Sequence, residues 1–243
     1  MSNPRFKIWS SVGKKLLTGV TGIALIGFII GHLAGNLTLL VGGELFNAYA
    51  EKLHQLGFLL YVVEVGLVLL FLTHIVPALA VHLDKRKARG VQNTIVQSKG
   101  AQSKQTIFSR SMAVTGMILL AFLVIHIIQF RFGPNIADGY VTLVNGEPAR
   151  DLYRLVVEVF KDPLWVAFYV FCMLLLGSHL RHGAWSAFQS IGILSNPMRP
   201  LAYSAAGILA VAVAVGFLVL PLWLWLVAPM PLPDPAIQAL VTK

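Results

Sequence analysis

The sequence predicts an all-α integral membrane protein with five transmembrane helices, and three observations carry that prediction. The apolar residues fall in long blocks: 16–43, 111–130, 163–180 and 200–233 contain no Asp, Glu, Lys or Arg, and 53–83 contains only Glu64. Crossing a bilayer takes about 20 apolar residues, so each block is long enough. The 243 residues are 57% hydrophobic and 12% charged, where a soluble domain carries about 25% charge. Finally, charge is sorted between the ends of the blocks, as it is in a chain that crosses a membrane repeatedly.

Taken in order, the predicted helices cover about 15–41, 56–83, 108–131, 162–188 and 200–227. The first block is read as a helix: it is too long for a signal-peptide core and no small-residue cleavage site follows it. The loop 84–110 holds a Lys/Arg cluster followed by Ser, Gln and Thr and is expected to be partly irregular. Between helices III and IV, "EPARDLYRLVVEVFKDP" has the pattern of an amphipathic helix lying at the membrane interface. "SNPMRP" (195–200) breaks the chain before helix V. No internal repeat or low-complexity tract stands out, and 1–243 is read as one membrane domain. Trp9, Trp165, Trp185, Trp223 and Trp225 are expected in interfacial belts.

Of the 19 Lys and Arg residues, thirteen fall in 1–15, in 84–110 and at Arg181 and Arg199. The positive-inside rule assigns those segments to the cytoplasm. The N-terminus is then inside, the C-terminus outside, and helices I, III and V run outward. The net charge of +9 is therefore topology plus a docking surface, and nucleic-acid binding is excluded as a reading. The single cysteine, Cys172, lies inside the fourth block, which excludes disulfides, a zinc cluster and a covalent CxxCH haem attachment.

The seven histidines are placed unusually. An imidazole inside a membrane helix is costly and is generally functional or paired across helices. Helix I carries His32, helix II His74 and His82, helix III His126, and helix IV His179 and His182, while His54 sits at the outer start of helix II. His32 follows Lys15 and His126 follows Arg110 by similar intervals on outward-running helices, which puts both about 25 Å from the inner boundary. His74 precedes Asp84 closely enough to lie about 15 Å from it, and His179 is also deep toward the inner side. Depth thus pairs His32 with His126 and His74 with His179.

Two imidazoles facing each other between helices are what a six-coordinate b-type haem requires. Gly31 and Gly35 beside His32, Gly116 on helix III, and Gly177 and Gly183 beside His179 would let a flat macrocycle approach the backbone. Bland readings compete. Gly27, Gly31 and Gly35 also fit simple helix packing, and any one histidine fits an interhelical hydrogen bond. His82 and His54 are read as interfacial. Glu64 fits a proton path, a quinone site, or a bond to a nearby Ser or Thr. Arg181 and Arg110 fit haem propionates or inner-boundary charge equally well.

"SSVGKKLLTGVTGIALIGFIIGHLAGNLTLL" followed by "FNAYAEKL", then "SRSMAVTG" (109–116) and "HLRHGAWSAFQSIG" (179–192), resemble the single-chain cytochrome b subunits of succinate:quinone oxidoreductases. These are the membrane anchors of succinate dehydrogenase and fumarate reductase (complex II). The resemblance runs over essentially the whole chain. It implies an anchor with two haem b groups, a flavoprotein subunit and an iron–sulfur subunit as partners, and a membrane quinone, menaquinone by family type, as electron partner. It places the axial iron ligands on His32 and His126 for an outer haem and on His74 and His179 for an inner one. In the family the helix IV ligand stands thirteen residues before a glycine, here Gly192, which points to His179 rather than His182. Some relatives carry a glutamate two residues before that ligand for transmembrane proton movement; this chain has Gly177 there.

The resemblance implies a bacterial cytoplasmic membrane, assembly within the complex and room for a higher oligomer. The N-terminal segment and the 84–110 loop would be docking surfaces, with Glu51, Glu64 and Ser186 as unranked quinone-site candidates. The rival readings are a dihaem anchor of a hydrogenase or formate dehydrogenase and a haem-free transporter or structural membrane protein.

Overall fold

The computed structural model describes residues 9–88 and 107–231, the side chains of 107–110 excepted. The helices are α1 (Ser11–Asn36), α2 (Gly43–His54), α3 (Phe58–Lys87), α4 (Ile107–His126), α5 (Leu152–Lys161), α6 (Pro163–Ile191) and α7 (Met198–Leu226), with one hairpin of β1 (Val141–Val144) and β2 (Glu147–Arg150). Five helical stretches are long and apolar enough to cross a membrane: Ser11–Leu40, Phe58–Lys87, Ser111–Arg131, Pro163–Ile191 and Met198–Leu226. They match the five predicted spans to within a few residues at each end. Among the described residues the regular structure is thus helical except for the hairpin. Residues 1–8 of the N-terminal segment expected to dock a partner, most of the basic loop and the tail beyond 231 lie outside the described residues.

Contact clustering divides the chain into two compact units. The first comprises 1–28, 66–117 and 176–211. Its α1 starts on an N-cap, Ser10, whose Oγ accepts from the Gly13 N–H at 3.1 Å. One turn on, Lys14 pairs with Asp84 at the end of α3 across 2.5 Å. Hydroxyls on its membrane-length helices turn back onto their own backbone, as Thr18 does to Lys14 O (2.8 Å) and Ser190 to Ser186 O (2.8 Å), which satisfies a polar group where no water is at hand. Trp185 is buried with Ala184 and Ala206 and meets the Tyr203 ring edge-on. It is a core residue, turned by α6 toward α7. α6 ends at Gly192, whose φ of +79° is the left-handed stop that glycine adopts without a Cβ penalty. The break before α7 therefore begins three residues ahead of "SNPMRP".

The second unit comprises 29–65, 118–175 and 212–243. Its core joins Leu39, Phe46, Val157, Phe160, Tyr169, Leu220 and Leu224. Here the loops fold. The first loop forms α2, so His54 ends α2 instead of opening the second span. Buried Asn47 on α2 donates to Asp151 Oδ1 at 2.8 Å and accepts from the Tyr153 N–H at 2.9 Å, which fixes α2 to the start of α5. Asp151 also caps α5 by accepting from the Arg154 N–H at 3.0 Å. The amphipathic helix predicted from "EPARDLYRLVVEVFKDP" is shorter than that stretch: Glu147–Arg150 is strand β2, paired with β1 through a two-residue Asn145-Gly146 turn. The apolar face of α5, with Leu155, Val156, Val157 and Phe160, is buried in the unit's own core.

Candidate functional site

The histidines singled out by depth divide between the units: His74 and His179 belong to the first, His32 and His126 to the second.

In the first unit both rings meet a Thr-Gly pair on a neighbouring span. His74 on α3 has Nδ1 3.3 Å from Thr21 Oγ1 and 3.1 Å from Thr18 O, both on α1. His179 on α6 has Nδ1 3.2 Å from Thr115 Oγ1 on α4. The next residue is glycine in both cases. A Cβ on Gly22 would stand 3.2 Å from His74 Cε1, and one on Gly116 would stand 3.4 Å from His179 Cε1. A ring lies against each helix backbone where a side chain would otherwise be. Pro77 follows His74 by three residues within α3 and removes the N–H that would otherwise close the helix turn around His74.

That shared geometry reveals a short repeat. Segments 20–32 and 114–126 both open Val-Thr-Gly and close on His, with Leu and Phe at matching places between. α1 and α4 thus each offer a Thr-Gly seat for a histidine of the first unit and, eleven residues after the threonine, a histidine of the second. The absence of an internal repeat expected from the sequence is corrected here. The match is too short to register as a repeat until the two threonines are seen performing one task.

In the second unit the rings of His32 and His126 are 5.8 Å apart between centroids and perpendicular. His126 is enclosed by Phe122, Phe130 and Tyr169 at 5.7, 5.3 and 6.2 Å, and His32 by Phe217 at 6.1 Å. Tyr169 OH lies 3.4 Å from His126 Nδ1 and 2.7 Å from Gln129 Oε1. Gln129 reaches it because α4 changes to a π-helical turn at Ile127–Arg131, directly after His126. Such turns recur at functional sites. Asn36, one turn after His32, donates to His32 O at 2.8 Å and lies 3.3 Å from His32 Nε2.

The glycines divide differently from expectation. Gly35 is closed by the Tyr49 ring, while a Cβ on Gly27 or Gly31 would meet nothing within 4 Å. Among the described residues the ladder is therefore no packing seam, and Gly22, not singled out from the sequence, stands against the His74 ring as Gly116 does against that of His179. Glu64 bonds neither a Ser nor a Thr: Arg131 Nε and Nη2 donate to its two oxygens at 2.6 and 3.2 Å. Arg181 donates to Tyr203 OH at 3.4 Å and lies 5.8 Å from that ring. The Arg110 side chain lies outside the described residues. His182, His82 and Ser186 are half-buried, and His54 is exposed. Glu51 on α2 accepts from Gln55 at 3.2 Å.

The donor set can be tested against the group that the resemblance implies. Among the described residues no hydrogen bond reaches Nε2 of His74, His126 or His179, the nitrogen that would face a metal. No group of three or more His, Cys, Asp or Glu among them could hold a metal ion by itself. The described residues thus bring one pair of imidazoles, His32 and His126, into ring contact among aromatic side chains, and a metal there would need its remaining ligands from a bound group.

No protein-family model matches the chain, and the comparisons with curated proteins and with solved structures returned no match.

Proposed function

We propose that the chain is the membrane anchor and electron-transfer subunit of a bacterial succinate:quinone oxidoreductase. It would lie in the cytoplasmic membrane with its N-terminus inside and carry two b haems. The observation behind this reading is the distribution of four imidazoles, one on each of four membrane-length helices, sorted two and two between the units. His74 and His179 would hold the inner haem, and His32 and His126 the outer.

When bound, a b haem supplies a one-electron centre whose potential follows its axial ligands and their partners. This chain's own residues supply what surrounds it. The histidines would hold the irons, and Phe122, Phe130 and Phe217 pack around the second pair, where they would exclude water. At His32 the Asn36 amide holds the nitrogen that iron would take, so haem uptake would turn that amide aside. Electrons would pass between an iron–sulfur subunit docked on the basic inner segments and a quinone in the membrane. The dicarboxylate chemistry would belong to a flavoprotein partner.

A reduced-minus-oxidised spectrum of the full chain in its membrane, with haem quantified per chain, tests the proposal. A haem b band at two haems per chain, with co-purifying flavoprotein and iron–sulfur subunits, supports it. Absence of the band refutes it, and a metallohydrogenase partner would move the chain to the other class of dihaem anchor.

A further inference from the structure

Hydroxyl protons decide which nitrogen each histidine presents. Thr21 has one hydroxyl proton, and it goes to Leu17 O at 2.7 Å. Its oxygen can then only accept from His74, so Nδ1 of His74 carries the hydrogen and Nε2 carries the lone pair. A second acceptor, Thr18 O at 3.1 Å, requires the same, because a carbonyl never donates. Thr115 is placed alike, with Ser111 O at 3.1 Å and Met112 O at 3.2 Å beside its hydroxyl and His179 Nδ1 at 3.2 Å; a helical threonine that bonds back to its own turn leaves its oxygen to accept from that nitrogen. In the second unit the Tyr169 proton goes to Gln129 Oε1 at 2.7 Å, so Tyr169 OH accepts from His126 Nδ1. Three histidines on three helices meet three different hydroxyls, and each hydroxyl has an oxygen acceptor at hand for its own proton.

We infer that Thr21, Thr115 and Tyr169 are positioning residues that lock His74, His179 and His126 in the Nδ1–H tautomer and aim Nε2 of each at an iron. The inference rests on the haem reading above and deepens it. A ligand imidazole whose second nitrogen donates a hydrogen bond is oriented and made more basic by it. Gly22 and Gly116 complete two of the three seats, since a Cβ there would press on the ring that the threonine orients. A threonine whose hydroxyl merely satisfied its own helix would not need a ring nitrogen at hydrogen-bond distance. Thr73 on α3, bonded only to Leu69 O at 2.6 Å, is such a residue and serves as the control.

The test uses the full chain in its membrane and compares Thr21→Val, Thr115→Val, Tyr169→Phe and Thr73→Val with the unaltered protein. Haem per chain and the midpoint potential of each haem are read separately. Losing an outer partner of a ligand histidine costs roughly 10- to 100-fold in metal affinity. Each of the three variants should therefore lose haem retention by about that factor and raise the potential of its own haem, leaving the other haem unmoved. Thr73→Val should change neither. Thr115→Ser keeps the hydroxyl and should restore the inner haem; a serine variant as defective as the valine variant overturns the inference, as do Thr21→Val and Thr115→Val proteins with unaltered content and potentials. Nitrogen-15 spectra of the histidine-labelled, haem-free chain give a second reading independent of haem loading. Protonated Nδ1 at His74 and His179 is expected, and protonated Nε2 there refutes the tautomer lock. A chain that takes up no haem but shows protonated Nδ1 would sink the functional proposal and leave the lock standing.

Discussion

His179 and His182 lie one turn apart on α6, and sequence spacing alone leaves both as ligand candidates. Only His179 has its Nδ1 held by a hydroxyl from another span, while a neighbouring glycine clears space for its ring. His179→Ala is therefore expected to lower haem b from two per chain to one with the outer haem retained, and His182→Ala to leave two; extraction and pyridine-haemochrome quantification decide. The four ligand candidates were legible in the sequence because polar groups are rare in apolar spans and depth follows from counting residues. Their partners were not. Thr21, Thr115 and Tyr169 are ordinary residues for a membrane helix, and nothing local marks which hydroxyl will face a ring. The recurrence of Val-Thr-Gly ahead of His at equal spacing was the one available signal. Glu64 shows the same limit, since Arg131 lies far from it in sequence and only folding brings the two charges together.

At the scale of elements, the hairpin and α2 are additions to the predicted helices. Asn145 and Gly146 have φ of +54° and +84°, which is the two-residue turn that favours Asn-Gly between twisted strands. That dipeptide was readable in "TLVNGEPAR", but the amphipathic pattern of the following helix was extended back over the strand. Gly146→Val forces a β-branched residue into the left-handed region and should cost about 1–2 kcal/mol, read as a lowered unfolding midpoint in detergent. Tyr140 ties the hairpin region to α5, donating to Glu158 Oε2 at 2.5 Å while Arg154 lies 4.5 Å from its ring. The bond to Glu158, and then burial, raise the tyrosine above its ordinary value. A raised folded value means that this contribution is complete below about pH 10 and is lost as pH climbs through the folded value. The difference in stability between Tyr140→Phe and the unaltered chain should therefore be constant at neutral pH and shrink only in strong alkali. Chemical unfolding at a series of pH values measures it.

For the whole molecule, the charge distribution predicts which ends share a compartment. Cys172 is the only cysteine and is buried, so single introduced cysteines can be labelled without background. In intact cells an impermeant thiol reagent should label Asn145→Cys and spare Lys87→Cys, with the pattern reversed in inverted membranes; equal labelling of both would break the proposed topology. By itself the sequence determined that five helices are long and apolar enough to cross a membrane, with their limits to within a few residues, and it predicts a topology and the depths of four histidines. Each follows from local composition, because lipid selects apolar length and rise per residue converts counting into depth. Tertiary structure decided which hydroxyl meets which ring, that the candidate pairs fall in separate units, that α5 buries its apolar face in the core, and that Trp185 turns inward. Those outcomes depend on the rotation of each helix about its axis and on contacts between residues far apart in the chain, which composition and spacing do not encode.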